Sequence, residues 1–166
     1  MATAGKDLSA YDAEKLYRPD GQKIALCVAE WNDEITSGLM RGALDVLHQV
    51  MDDSEILIHY VPGSFELPLG AQFLFDATDV SAVICIGSVI RGETAHFDFV
   101  CNAASEGILH VGLKYNAPCV FCVLTDDNIE QSRARAGGEH GNKGTEAAVA
   151  VLKMLALRES LQTSNV

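Results

Sequence analysis

Long apolar runs are missing from this sequence. No segment approaches the ~20 consecutive apolar residues of a membrane span, and the amino-terminal MATAGKDLSAYDAEKLYRPDG lacks the apolar core of a secretory signal. A cytoplasmic location with no membrane partner is therefore expected. Basic residues are scarce: 12 Lys and Arg stand against 23 Asp and Glu, a formal charge of -11. That balance excludes a typical nucleic-acid binder, which needs clustered cations to neutralise phosphates, but it leaves room for a small phosphorylated ligand wherever a few cations converge. Metal-ligand spacing is lacking too. The histidines at 48, 59, 96, 110 and 140 form no H-x-x-x-H and join no Cys/His cluster, so no metal site is expected. The five cysteines are odd in number and lie in apolar runs, which argues against a disulfide framework. Cys119 and Cys122 do form a C-x-x-C, but inside a predicted strand, where residues three apart point to opposite faces. Buried structural thiols are expected. Repeats and low-complexity tracts are absent as well, and 166 residues suit one domain with a proper core.

What is present is an alternation of apolar runs with helical spacing. Residues 1–22 are mixed and polar and end in the turn composition Arg18-Pro19-Asp20-Gly21, as expected of a disordered tail or an arm lying on a neighbouring subunit. Lys23 to Ala29 reads as a strand, and Ile35, Leu39, Ala43, Val46, Leu47 and Val50 mark an amphipathic helix capped by Asn32 or Asp33. Ile56 to Val61 reads as a second strand, followed by a short helix with Ser64 as its candidate cap and Pro68 in its first turn. Ala82 to Ile90 is a strand buried on both faces, and Phe97, Val100, Cys101, Ala104, Ile108 and Val111 then recur at helix spacing. Pro118 to Leu124 is a fourth strand, after which helix is expected, interrupted at Gly137-Gly138 and Gly141 and resuming near Asn142. The domain runs over 23–158, with 159–166 as a frayed tail. Strands alternating with helices at this spacing imply right-handed βαβ units. The expected fold is a three-layer αβα sandwich on a four-stranded parallel sheet, in the flavodoxin-like order 2-1-3-4.

In such a sheet ligands bind outside the carboxyl ends of the strands. Those ends carry Trp31 and Asn32, then Ser64, Phe65 and Glu66, then Gly92, Glu93, Thr94 and His96, then Thr125 to Asn128. In VICIGSVIRGETAHFDFV, Val83 to Val100, Thr94 sits where a helix N-cap belongs, and the unpaired N–H groups and dipole behind it make an anion site, with phosphate the leading ligand. Arg91 and His96 flank that mouth. Each residue also has a plainer role: Thr94 as a cap only, Trp31 packed on the sheet edge, Phe65 in the core, Glu66 as a first-turn dipole partner, and Arg135 as a solvated helix-end charge.

The wording GSVIRGETAHFD resembles the signature segment of the 6,7-dimethyl-8-ribityllumazine synthase family. IALCVAEWN with ITSGLMRGAL, VPGSFELPLGAQ, and VFCVLTDDNIEQSRARAGGEHGNKGTEAA are similar to that family's other motifs, in order, from about residue 23 to about 155. The resemblance implies condensation of 5-amino-6-(D-ribitylamino)uracil with 3,4-dihydroxy-2-butanone 4-phosphate, the penultimate step of riboflavin synthesis, without a cofactor. It implies that Trp31 stacks on the pyrimidine beside Asn32, that Ser64, Phe65 and Glu66 hold the ribityl chain, and that Val89 and Ile90 line the pyrimidine edge. Gly92, Glu93 and Thr94 would hold phosphate, and His96 would move protons. Phe121, Arg135 and Lys143 would reach into a neighbouring subunit's site, the arginine to bind phosphate. It further implies a homopentamer, sometimes built into an icosahedral shell, with riboflavin synthase as a candidate partner. Ala95 stands where relatives often have proline, and Glu139 and His140 where they are often more basic. The rival readings are a flavin-binding electron carrier, disfavoured because no glycine loop follows the first strand, and a shell protein without activity. Walker-type nucleotide binding fails, since GGEHGNKGT has the wrong spacing and follows a helix.

Overall fold

Two apolar layers form because each central strand sends alternate side chains to opposite faces. The computed structural model describes residues 10–163. Strands β1 (Lys23–Ala29), β2 (Ile56–Val61), β3 (Val80–Ile90) and β4 (Cys119–Asp126) pair in parallel in the order β2-β1-β3-β4. Helices α1 (Asp33–Leu47) and α5 (Lys143–Thr163) cover one face, and α2 (Leu67–Ala77) and α3 (His96–Tyr115) the other. The flavodoxin-like three-layer sandwich is thus present.

On β1, Ile24, Leu26 and Val28 meet Ile35, Leu39 and Val46 of α1 and Val151, Leu152 and Leu155 of α5, while Ala25, Cys27 and Ala29 meet Leu67, Ala71, Ile108 and Val111 of α2 and α3. Burying one such Leu or Ile contributes roughly 1.5–3 kcal/mol, so β1 and β3, covered on both sides, are the anchor of the fold. Cys119 packs toward α2 and α3 and Cys122 toward α1 and α5, as strand geometry requires. Cys27, Cys85 and Cys122 are buried, but Cys101 and Cys119 only in part, Cys119 being the first residue of β4.

Boundaries differ from the expected ones at several points: β3 starts at Val80 instead of Ala82, β4 runs Cys119–Asp126 instead of Pro118 to Leu124, and α1 ends at Leu47, short of Val50. Helix α3 begins at His96 with Ala95 as its N-cap, one residue later than a Thr94 cap predicts; Ala95 nonetheless has helical dihedrals, and Thr94 Oγ1 accepts from the His96 N–H at 3.4 Å. Ser64 opens a one-turn 3-10 segment, Ser64–Glu66, with Gly63 as its cap, and Pro68 falls at the start of α2. The glycine-rich segment is a small antiparallel hairpin, β5 (Ala136–Gly138) with β6 (Gly141–Asn142), set between α4 (Ile129–Arg135) and α5. Residues 159–163 are helical and exposed, not frayed: Thr163 Oγ1 donates to Glu159 O, and no glycine or proline interrupts the run.

Of the expected arm, residues 1–9 lie outside the described residues, as do 164–166 of the tail. Residues 10–22 lie on their own chain, with Tyr11, Leu16 and Tyr17 packed against the α1/α5 core and Gln49 Nε2 donating to Tyr11 Oη at 2.7 Å.

Candidate active site

Three strand ends supply the rim. Beyond β1 the ladder continues for two residues, Glu30 N–H to Val61 O and Trp31 N–H to Pro62 O, which stiffens the backbone under Trp31. The indole itself is 75% exposed, so it does not pack on the sheet edge. Asn32 caps α1 from the left-handed region (φ 58°), and its amide does not cap the helix but donates to Ser88 O on β3 at 2.9 Å. That bond ties the β1 loop to the neighbouring strand at the crevice where the order of connections reverses.

The turn after β2 is brought onto the same rim by a glycine. A Cβ on Gly87 of β3 would lie 2.5 Å from Ser64 Oγ and 3.0 Å from Leu67 Cδ1, so only glycine lets this turn settle there. Ser64 is buried under the turn, whereas Phe65 is 58% exposed and outside the core. Glu66 is exposed beside it.

From β3, Val89 and Ile90 are half-buried and Gly92, Glu93, Thr94 and His96 are exposed. Arg91 does not lie free at this mouth. Its Nε donates to Asp127 Oδ1 at 3.1 Å and its Nη2 to Asp98 Oδ1 at 3.3 Å, with Cζ 4.0 Å from the centroid of the Phe97 ring. The carboxylates raise the guanidinium's pKa, Asp98 most.

The remaining candidates stand apart. Phe121, 41% exposed, lies with Arg135 and Lys143 around a cavity of about 610 Å³ along the open edge of β4, also lined by Asp126, Gln131 and Glu146. None of Trp31, Asn32, Ser64–Glu66 or Val89–His96 lines it. Helix α4 aims Arg135 there; Asn128 caps it by accepting from Gln131 N–H at 3.0 Å, and Gln131 Oε1 accepts from Asp127 N–H at 3.0 Å. Asp126, buried beneath, accepts from Ser132 Oγ at 2.7 Å.

The cations at this end of the sheet are not equivalent. Arg133 makes a two-pronged pair with Glu34 (2.8 and 2.9 Å), which lowers that carboxyl's pKa, and Lys143 pairs with Glu146. Arg135 donates to Gln131 O at 2.9 Å and, among the described residues, has no carboxylate partner. It is the guanidinium left available for an anion.

Several contributors were not foreseen from sequence. Asp98 and Asp127 hold Arg91 through space, and no local spacing signals that. Asn142 reaches back to α1 by donating to Gly38 O at 2.9 Å and accepts from Gly144 N–H at 2.8 Å, so it seats the hairpin under Arg135 and Lys143. Its position in GNKG was the available hint.

Comparison with known proteins agrees with this architecture. The family model described as 6,7-dimethyl-8-ribityllumazine synthase matches residues 21–159. A protein of that name from Cytophaga hutchinsonii is 53% identical over 157 residues, 94% of this chain and 98% of its own. Those from Christiangramia forsetii and Porphyromonas gingivalis are 47% and 46% identical, covering 96% and 95% of this chain and 96% and 98% of their own.

Proposed function

Because the chain belongs to the 6,7-dimethyl-8-ribityllumazine synthase family, we infer that it condenses 5-amino-6-(D-ribitylamino)uracil with 3,4-dihydroxy-2-butanone 4-phosphate, releasing phosphate and water. It is accordingly a transferase of riboflavin biosynthesis. The flavin-carrier alternative is not favoured, since Glu30-Trp31-Asn32-Asp33 after β1 offers no glycine cradle for a flavin phosphate.

The chemistry needs proton traffic and alignment more than a strong nucleophile. The amine and ketone form a Schiff base, phosphate is eliminated, and the ring closes. Trp31 offers its face to the pyrimidine, Val89 and Ile90 its edge, and Ser64, Phe65 and Glu66 hold the ribityl hydroxyls. The N–H groups of Gly92, Glu93 and Thr94 at the mouth of α3 receive the phosphate. His96, first in that helix, carries protons, as suits a side chain type that titrates near neutrality. Holding two substrates in register supplies much of the remaining acceleration.

One observation carries the site assignment: the candidates divide into two groups that do not share a cavity, and Arg135, which among the described residues has no carboxylate partner, is in the group along β4. A second copy bringing Phe121, Arg135 and Lys143 over the Trp31 rim would complete one site from two half-sites. Extensive exposed apolar surface supports such assembly. A groove of about 580 Å³ lined by Leu109, Leu113, Met154, Leu157 and Leu161 continues beyond the β4 edge, and these five side chains are all about half exposed or more. We place the protein in the cytoplasm as a homopentamer, or a shell of pentamers, with riboflavin synthase as a candidate partner. Among the described residues no helix is long and apolar enough to cross a membrane.

The test is direct. Purified protein mixed with the two substrates should produce the fluorescent lumazine and one released phosphate per turnover. Lumazine formation no faster than in the protein-free mixture would overturn the assignment.

A further inference from the structure

We propose that Arg91 is a positioning residue for the phosphate loop: it closes residues 92–96 into a ring and masks two carboxylates that stand beside a bound phosphate. The proposal rests on the reading that Gly92, Glu93 and Thr94 hold that phosphate.

The loop has little else to fix it. Gly92 through His96 are all exposed, and the side-chain hydrogen bond within the loop, Thr94 Oγ1 with His96 N–H, is 3.4 Å, at the weak end of the range. Arg91 precedes the loop, yet its guanidinium reaches the two residues that follow it, lying over the Phe97 ring and bonding Asp98. Its Nε also bonds Asp127, and its backbone N–H donates to Asp126 O at 2.9 Å. Both ends of the loop are therefore gripped by one side chain anchored to the end of β4. Phe97 is buried and α3 is fixed by packing, so the ring has a rigid far side.

Charge gives the second half of the argument. Asp98 and Asp127 carry two negative charges and Arg91 one positive, so the trio is at -1 with the arginine and -2 without it. Charges so placed at the two ends of the loop act on a phosphate dianion at its N–H groups to the extent that salt leaves them unscreened, over a Debye length of ~8 Å at physiological ionic strength. Loss of the guanidinium would both loosen the loop and repel the ligand.

The two effects separate in kinetics. Arg91→Gln should raise KM for the butanone phosphate roughly 5- to 30-fold, less so at high salt, and leave KM for the pyrimidine within about twofold. Adding Asp98→Asn and Asp127→Asn to Arg91→Gln should return most of that KM while kcat stays low, because charge is relieved but the ring is open. Arg91→Lys, the variant safest for folding, should keep KM near wild type and lose kcat several-fold, since an ammonium lacks the planar fork that spans both carboxylates. Equal rises in both KM values, a triple variant no better than Arg91→Gln, or full kcat in Arg91→Lys would each overturn the proposal. Inorganic phosphate is the control: if it inhibits wild type competitively against the butanone phosphate, and Thr94→Ala weakens that inhibition, the loop stands as part of the phosphate site even where the Arg91 variants behave as wild type, and the Arg91 proposal alone fails. Absence of that inhibition would point to failure of the underlying reading instead.

Discussion

At the scale of single residues, Trp31 combines a stiff backbone with an indole three-quarters exposed to solvent. Exposing an aromatic face at a cost in burial makes sense where a flat ring is to land on it. Its fluorescence should be quenched by the ribitylaminouracil substrate, and Trp31→Ala should weaken binding by about 1–3 kcal/mol, the range of aromatic stacking on a base, with Trp31→Tyr mild. Unchanged emission at saturation would remove the stacking role. His96 opens α3 without packing into the core, so His96→Asn should fold normally by circular dichroism. Its turnover should fall roughly 10- to 1,000-fold, toward the low end because imine formation needs little help. Wild-type turnover in a well-folded variant would take His96 out of the mechanism.

Elements decide which of these groups meet. Helices α1 and α5 approach closely at Gly144, where an added Cβ would overlap Leu39 O of α1. Gly144→Ala should therefore lower stability by about 1–3 kcal/mol, as overpacking does, and should disturb Lys143 beside it, readable as a lowered Tm with reduced activity. The buried thiols bear on the same layers. Burial pushes Cys27 and Cys122 from about 9 to about 12, so they stay neutral in the fold while their unfolded counterparts ionise above about 9. A raised folded pKa contributes stability that is fully present below the unfolded value and is lost as pH rises toward the folded one. Tm should thus fall between about pH 9 and 12, less steeply in Cys122→Ala; equal slopes would contradict this.

The same scale explains what was legible beforehand. Strands β1 and β2 were read at their observed limits, because apolar runs bounded by turn residues are local signals; the sheet order 2-1-3-4 is also the observed one, though it follows from the fold type and not from any local pattern. Trp31, Ser64–Glu66 and Gly92–His96 could be placed on one rim because strand ends follow from strand limits. The β5–β6 hairpin was missed because its pairing spans only five residues and Asn142 holds it through α1. The capture of Arg91 by Asp98 and Asp127 depends on the β3–β4 register, Ile90 opposite Asp126, which no periodicity reveals.

For the whole molecule the central claim is that one site is built from two chains. Phe121, Arg135 and Lys143 face a cavity along β4 that the chain's own Trp31 rim does not enter, and exposed apolar residues of α3 and α5 flank it. Arg135→Ala should lose affinity for the butanone phosphate alone, and Arg135→Lys should lose about 1–3 kcal/mol as a charged hydrogen bond is weakened. The decisive measurement uses mixed oligomers. Arg135→Ala and His96→Asn subunits, each well below a quarter of wild-type rate at subsaturating butanone phosphate, are unfolded together, refolded at equal amounts and assayed for lumazine formation under that condition. If each site takes His96 from one subunit and Arg135 from its neighbour, roughly a quarter of the sites in a random ring are intact, and activity should rise to about a quarter of wild type. Activity no higher than the mean of the two parents would mean that each chain holds a complete site, and the shared site would be wrong.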